Sequence, residues 1–320
     1  HKRGTFVLSG DPDEIFEEEN LWTVERDRGL FVDGAFESSK SYEAQQTIHG
    51  AYVMNEMQFK NGFKAIYGLR VEKADNWYTG RKQFVIDPET DLFDNRKVLD
   101  ELDLLPSLSF VKPLRDEESK TMNLRFSASR TLARPTFKEK SIAQIIDRIS
   151  GRTFLGNIDL EQTRIINLDL RWEYFLPGGE MFSASTFYKS FDQPIEMTAF
   201  DATAPNSFTP RNVGDANLIG VEVEFRKNMG FLGTAFNPLS FNANATFVQS
   251  SVNMTENEFE GRVLTAREGE ITKNKRQMVG QSPYVINAGL TYLEQIGGLE
   301  ANLSYNVQGE RLSIVGIGKV

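Results

Sequence analysis

Few residues in this chain could carry covalent chemistry. Cysteine is absent, so thiolate catalysis, disulfides and thiolate metal sites are excluded. The two histidines are His1 and His49. A Ser-His-Asp arrangement would have to use His49, which sits in a strand-like stretch, while the nearby Ser39 and Ser41 fall in a loop. Nothing pairs His49 with a nucleophile, and it reads as a structural or interfacial side chain. The acidic stretches Asp11 to Asn20 and Asp87 to Asn95 have carboxylates enough for calcium. They lack the spacing and central glycine of an EF-hand loop, and read as solvated loops able to bridge lipopolysaccharide through divalent ions. The terminal VGIGKV lacks the spacing of a phosphate loop. The glycosylation-like tripeptides at Asn244, Asn253 and Asn302 are chance matches, two of them inside predicted strands. No catalytic residue, metal site or cofactor is assigned. The net charge of -9 argues against a nucleic-acid partner, which would call for basic patches.

The elements that carry these residues are strands. Tyr284, Ile286, Ala288, Leu290 and Tyr292 alternate with small or polar residues. After a tight turn, Leu299, Ala301, Leu303, Tyr305 and Val307 alternate with Glu300, Asn302, Ser304, Asn306 and Gln308. The pattern recurs along the chain and predicts strands near 2–9, 43–59, 63–77, 100–112, 118–133, 161–176, 180–191, 214–229, 239–253, 279–294 and 298–313. The only helical pattern is short, Ser141 to Ile149. No composition shift divides the chain, so residues 1–320 form one domain.

The connections alternate in length. Short ones fall at Lys60 to Gly62, Pro113 to Glu117, Pro177 to Gly179, Asn228 to Pro238 and Gln295 to Gly298. Long ones occupy 10–42, 78–99, 134–160, 192–213 and 254–278. Long structureless loops are uncommon in compact soluble domains. Here each second connection is long, so all fall at one end of the sheet, the pattern of outer-membrane barrels.

Strand faces agree. Ile166, Leu168, Leu170, Trp172, Tyr174 and Leu176 oppose Asn167, Asp169, Arg171 and Glu173. A soluble sandwich would alternate too. Two details favour lipid: aromatics cluster toward strand ends, and the strands run to about 15 residues, beyond the usual globular length. The chain also has no run of apolar residues long enough for a membrane helix. The fold class is therefore all-β, an antiparallel transmembrane β-barrel. Eleven strands are an odd count for a bacterial single-chain barrel, and both termini look cut, so the chain reads as a piece of a larger barrel.

Several local runs bear a family likeness. SRTLARPTFKE, Ser129 to Glu139, resembles the strand-to-loop boundary of TonB-dependent outer-membrane receptors. Gly156 to Phe175 is similar to their "GNPDL" loop return, with Ile158 in place of the usual Pro and Glu161 where Lys is frequent. Phe182 to Glu196, Asn217 to Lys227 and GQSPYVINAGLTY follow in the family's order. The likeness covers 100–313 well and 1–80 more loosely.

The resemblance implies a barrel of roughly 22 strands with a plugged lumen, of which this chain holds about half, the C-terminal part without its closing strands. It implies energised uptake of a scarce nutrient, a siderophore, an oligosaccharide or similar, and no enzyme activity. The implied partners are the TonB energy-transducing complex, reached through a plug region outside this chain, the lipid bilayer and lipopolysaccharide, with a surface-exposed lipoprotein as a further one. Ligand contacts are then expected from Trp77, Tyr78, Arg81, Arg148, Arg152 and Phe154, because aromatics suit sugar or aromatic faces and arginines suit carboxylates or ferric chelates. The alternative for Trp77 and Tyr78 is membrane-girdle packing. Asp169, Arg171, Glu222 and Glu224 are expected to face the lumen and the plug. Two other functions stay open: a non-transport barrel serving assembly or secretion, and a soluble adhesin-type binding module.

The face assignment is directly testable. Leu303→Lys should cost about 2–4 kcal/mol of stability in a bilayer, as a charge on the lipid face near mid-membrane does. Ser304→Lys should be tolerated. Denaturant titration in lipid vesicles reads both, and a larger loss for Ser304→Lys would mean that the faces are reversed.

Overall fold

The computed structural model describes residues 11, 17–23, 25, 29, 38–82, 86–147, 149, 151–199, 206–294 and 297–316. Contacts divide the chain into residues 1–38 and 39–320. In the first unit the described backbone includes a 3-10 turn, Glu18–Asn20. Gly29, at φ 126°, packs so closely on Leu21 and Trp22 that a Cβ would lie 2.7 Å from their backbone. The predicted strand 2–9 lies outside the described residues.

The second unit is built of strands. In chain order they are β1 (Tyr42–Gln58), β2 (Lys64–Arg81), β3 (Leu92–Glu117), β4 (Lys120–Ala133), β5 (Gln144–Asp147), β6 (Arg152–Leu155), β7 (Thr163–Phe175) and β8 (Met181–Asp192). Then come β9 (Ile195–Ala199), β10 (Ser207–Asn212), β11 (Ala216–Asn228), β12 (Leu239–Asn253), β13 (Lys275–Arg276), β14 (Tyr284–Leu293), β15 (Glu300–Gln308) and β16 (Val315–Gly316). One antiparallel meander runs β1-β2-β3-β4-β7-β8-β11-β12-β14-β15, with β13 attached to β12. Its ten strands are ten of the eleven expected. A second, five-stranded sheet in the order β16-β9-β10-β6-β5 is made from the connecting segments.

Register explains how the two faces stay separate. The residues Leu124, Trp172, Ala184, Val223, Ala245, Ile286 and Val307 are successive partners across seven strands. One residue along, Asn123, Glu173, Ser183, Glu224, Asn244, Asn287 and Asn306 form the next row. Side chains alternate across a strand, so the first row lies on one face and the second on the other. The apolar face is the exposed one: Ile166, Leu168, Leu170, Val221, Val223, Leu303 and Tyr305 are exposed, Leu303 to 70%. On the polar face Asn167, Glu173 and Ser183 are buried. A water-soluble sheet would have the reverse, and this inversion selects lipid as the solvent of the apolar face.

The polar face satisfies itself. Arg125 Nε lies 2.6 Å from Glu173, and Arg171 reaches Glu173 at 2.9 Å and Glu224 at 3.0 Å. Beyond this chain of ion pairs, the Asn287 amide donates to Asn244 at 2.7 Å and Asn306 donates to Asn287 at 2.5 Å. On the apolar face, rings gather toward the short-turn end. Phe59 meets Phe63, Phe63 meets Phe110 and Phe110 meets Phe126, at centroid distances of 5.6, 5.6 and 6.4 Å. Trp172 stacks near Tyr174 and packs edge-on to Phe182. Phe247 and Tyr284, register partners farther up, are exposed toward the other rim.

Three expectations need correction. Ser141 to Ile149 is not a helix: Gln144–Asp147 is a strand paired with Arg152–Leu155. Isolated helices this short are marginal, and adjacent β-branched Ile145 and Ile146 favour the pairing that a partner strand offers. The turn expected at Pro113 to Glu117 is strand; β3 continues to Glu117, with a register shift between Pro113 and Arg115 that accommodates the proline. The long 78–99 loop contracts because β2 runs to Arg81 and β3 starts at Leu92. The β2–β3 pairing carries two register shifts there, and these irregularities break the alternation that would mark the strand.

If the ion-pair chain stabilises the wall, Arg171→Leu should lower stability by about 1.5–3 kcal/mol, the range for hydrogen bonds to charged groups, since Glu173 and Glu224 both lose a partner. Urea unfolding in detergent measures this. An unchanged midpoint would show that the wall stands without the pairs.

Candidate functional site

The connections after β4, β8 and β12 leave the same end of the meander, and there they fold onto one another. The helical turn Phe137–Lys140 begins with a capping box: Glu139 N donates to Thr136 Oγ1, and the Glu139 carboxylate accepts from Thr136 N. The chain then makes the β5–β6 hairpin. β6 runs parallel to β10 through Thr153 and Phe154 opposite Ser207 and Phe208. β9 pairs with both β10 and β16.

Most of the buried apolar side chains collect at this end. Val213, Ala216 and Val252 form an apolar cluster, joined by Phe191 and Met278. Tyr78 is 2% exposed; its hydroxyl accepts from Ile142 N at 3.0 Å, and its ring packs on Tyr42 and Phe93. Gly156 is required by close approach, because a Cβ there would sit 1.9 Å from the Ser141 carbonyl oxygen. Arg276 is buried between Glu196, at 2.7 Å, and Glu258, whose carboxylate accepts from its Nε. Val279 N donates to Glu196 at 2.8 Å. That cluster ties β9 to the Glu256–Leu264 helix and to β13. With two carboxylates on one guanidinium, the Arg276 proton is held more tightly than usual, despite burial.

Lys140 is 4% exposed and donates to the Leu160 carbonyl at 2.7 Å. Burial, which opposes its charge, pulls its pKa down from the usual 10.5 to about 8 against the attraction of Asp159 and Glu161. The acidic stretch at Asp87 to Asn95 is not a solvated loop. Asp87 caps the Pro88–Asp91 turn by accepting from Glu89 N at 3.0 Å. Asp91 accepts from Ile86 N and Asp87 N and pairs with Lys82 at 2.6 Å. Those contacts, Lys82 first, hold its carboxyl well below the usual range. Among the described residues, no group of three or more His, Asp or Glu side chains is placed to hold a metal.

Two cavities lie in this region. The first, of about 680 Å³, is lined by Ser39, Lys40, Lys82, Ile142, Gln144, Leu155, Gly156, Asn157, Thr209, Arg211 and Asn212. The second, of about 710 Å³, shares Lys82, Ile142, Gly156 and Asn157, and adds charges of both signs, among them Arg96, Lys97, Asp100, Glu101 and Asp159. Both volumes suit a small ligand.

The residues singled out from sequence fall around these cavities rather than in them. Trp77 lies under the Lys97 ammonium, 5.4 Å from its ring centroid. Tyr78 is packed beneath the connecting segments, where it fastens Ile142. Arg81 ends β2 and is exposed. Arg152 lies over the Phe208 ring at 5.3 Å, and Phe154 lies under Lys138 at 4.6 Å. Arg148 is outside the described residues. On the polar face, Arg171 and Glu224 pair with each other, Asp169 is 3.5 Å from Ser127 Oγ, and Glu222 stands between Ser185 and Thr246. Sequence reading passed over Lys40, Gln144, Thr209 and Arg211. Gln144, Thr209 and Arg211 come from two connecting segments that the second sheet brings together, and Lys40 joins them from just before β1.

A meander with an apolar outer face, a polar inner face and folded long connections at one rim defines a stretch of outer-membrane-type β-barrel. The chain belongs to the TonB dependent receptor-like β-barrel family, whose model matches residues 9–315. No curated protein matches the sequence significantly. Solved structures with the same fold include the copper transporter OprC, with 15% identity, a TM-score of 0.58, and coverage of 84% of this chain and 36% of that one. Another is the ferric citrate transporter FecA in its unliganded form, with 15% identity, TM-score 0.53, and coverage of 83% and 33%. A third is the Serratia marcescens hemophore receptor HasR, a double mutant in complex with its hemophore HasA and heme, with 11% identity, TM-score 0.55, and coverage of 83% and 44%. The chain thus spans less than half the length of each.

The lowered Lys140 pKa sets a pH window. Below about 8 the folded chain bears the full cost of burying the ammonium. Between about 8 and 10.5 the unfolded segment binds more protons, so the order of 134–160 should rise with pH. Limited proteolysis of this segment, normalised at each pH to a Lys140→Met variant, should show protection growing from pH 8 to 10. A flat ratio would mean that Lys140 keeps an ordinary pKa.

Proposed function

We propose that this chain is the wall and the ligand-facing rim of an outer-membrane receptor that takes up a scarce solute with energy from the TonB complex. The observation that carries the reading is the coincidence of two features on one sheet: an inverted, lipid-suited wall, and two adjoining cavities of about 700 Å³ at its long-connection end. A wall alone would serve any barrel. Family membership supplies the link to TonB. The named cargoes of the similar structures differ, copper, ferric citrate and heme, so they support uptake as a class and leave the solute open.

The test takes the whole protein in its native host. It should fractionate with the outer membrane, migrate heat-modifiably, and cross-link to TonB. Cells should deplete one solute from defined medium only when TonB is present and the proton-motive force is intact. A membrane-located protein with no TonB cross-link and no energised depletion would favour the assembly or secretion reading. Recovery in the soluble fraction without detergent would defeat both.

A further inference from the structure

An arginine stands on the apolar outer face. Arg130 of β4 is the partner of Ile166 on β7, so both side chains leave the same side of the sheet, and both are exposed. Below it on that face, Ala128 lies between Leu108 of β3 and Leu168 of β7. Met122, at the foot of β4, is level with Tyr174 of the lower ring cluster. At about 3.3 Å per residue and a tilt near 40°, Arg130 sits roughly 20 Å higher, toward the top of an apolar band about 25 Å tall.

The wall is parted at this point. β3 and β4 pair from Ser107 and Ser129 down toward the short-turn end. Above that pair, β3 keeps to β2 as far as Leu92, and β4 keeps to β7 as far as Ala133. The residue next along β3 is Pro106, which has no N–H to donate to a further pair. On the inner side the parting is bridged. Arg134 reaches Glu72 at 2.8 Å and Asp103 at 3.3 Å, and Gln162 donates to Asp103 at 2.6 Å. On the outer side it remains a groove of about 360 Å³, with Pro106 and Leu108 along one flank, Ala128 and Ile166 along the other, and Arg130 at its head.

Among the described residues the Arg130 guanidinium makes no hydrogen bond, ion pair or ring contact. Other cations of this rim are matched: Arg164 meets Glu101 at 3.3 Å, and Lys97 meets Asp75 and Asp100 at 2.8 Å. A bare guanidinium beside hydrocarbon is costly. Its long stem lets it rise to the headgroup level, where an anion held in the membrane would match it.

We propose that this groove seats a phosphate-bearing lipid of the lipid A type, with an acyl chain over Ala128 and a phosphate on Arg130. Charge complementarity selects this occupant: the groove is apolar, the residue at its head is an unmatched cation, and a phosphorylated lipid carries hydrocarbon and anion in that order. The planar fork of arginine suits phosphate oxygens in pairs. Long connections mark the outward end of such a barrel, so the leaflet that Arg130 meets is the outer one. The inference rests on the outer-membrane placement of the wall and not on uptake.

Native mass spectrometry of the whole protein in detergent tests it, with diphosphoryl lipid A, phosphatidylglycerol and the neutral digalactosyldiacylglycerol as probes. The parent should bind its first lipid A about tenfold more tightly than Arg130→Gln does, with Arg130→Lys between them. The neutral glycolipid should not distinguish parent from variant. An Arg226→Gln variant, which removes a charge from the inner face, should bind lipid A as the parent does. Heat-modifiable migration shows that each variant is folded. Lipid A binding unchanged in folded Arg130→Gln, or a loss shared by the neutral glycolipid, would overturn the proposal. So would an Arg130 effect confined to phosphatidylglycerol, or a dimer that Arg130→Gln dissolves while lipid A binding stays. A protein that fractionates with the outer membrane yet lacks the Arg130 effect loses only the lipid seat. Recovery in the soluble fraction would remove the wall and the seat together.

Discussion

Everything in this molecule depends on one constraint: a backbone in hydrocarbon has no water with which to hydrogen-bond. An open edge or an irregular loop is therefore excluded at membrane depth, and only strand pairing can carry the chain across. The meander answers this by placing each strand beside its sequence neighbour, interrupted where β5–β6, β9–β10 and the segment with β13 leave the path. Pairing fixes register, and register puts Trp172 beside Leu124 and Ala184 while Glu173 goes to the other face with Asn123 and Ser183. A slip of one residue would drive Glu173 into lipid. The alternation is thus both the signature of the fold and the penalty that protects it.

Irregular backbone is permitted beyond the bilayer, and there the chain changes its means of support. The rim has an aqueous-protein interior: a small apolar cluster around Val213 and Val252, a capped helical turn, and a buried guanidinium between Glu196 and Glu258. Buried ion pairs are weak contributors to net stability, but removing one partner is severe. The Arg276 cluster accordingly acts on which segments meet rather than on how tightly the barrel holds. It joins residues 80 positions apart and gives the connecting segments a fixed arrangement on which a cavity can be built.

The wall was legible in the sequence because a single rule, apolar against polar at period two, governs each residue that touches lipid. Ile166 to Trp172 and Leu299 to Val307 obey it, and their strands fall close to the expected places. The rule lapses where the register shifts, which is why Leu92 to Leu99 looked like loop and is strand. It is silent on the rim. Tyr78 looked like a mouth residue because nothing local announces that Ile142, 64 positions on, will cover it. The short Gln144–Asp147 segment was read by its own periodicity, whereas a partner strand decided its state. The cavity was out of reach for the same reason: Gln144 and Arg211 have no common spacing, their meeting is a property of the second sheet, and Lys40 reaches it from before β1.

The inner face of the wall carries many charges, yet Arg125, Glu173, Arg171 and Glu224 spend them on one another, and Asn244, Asn287 and Asn306 do likewise with their amides. A surface whose fixed charges are already matched exerts little net pull on anything beside it. It hydrates readily, and a body sliding along it exchanges weak contacts for equally weak ones. In mechanical language such a wall is a bearing: its matched charges offer no strong grip to a body beside it.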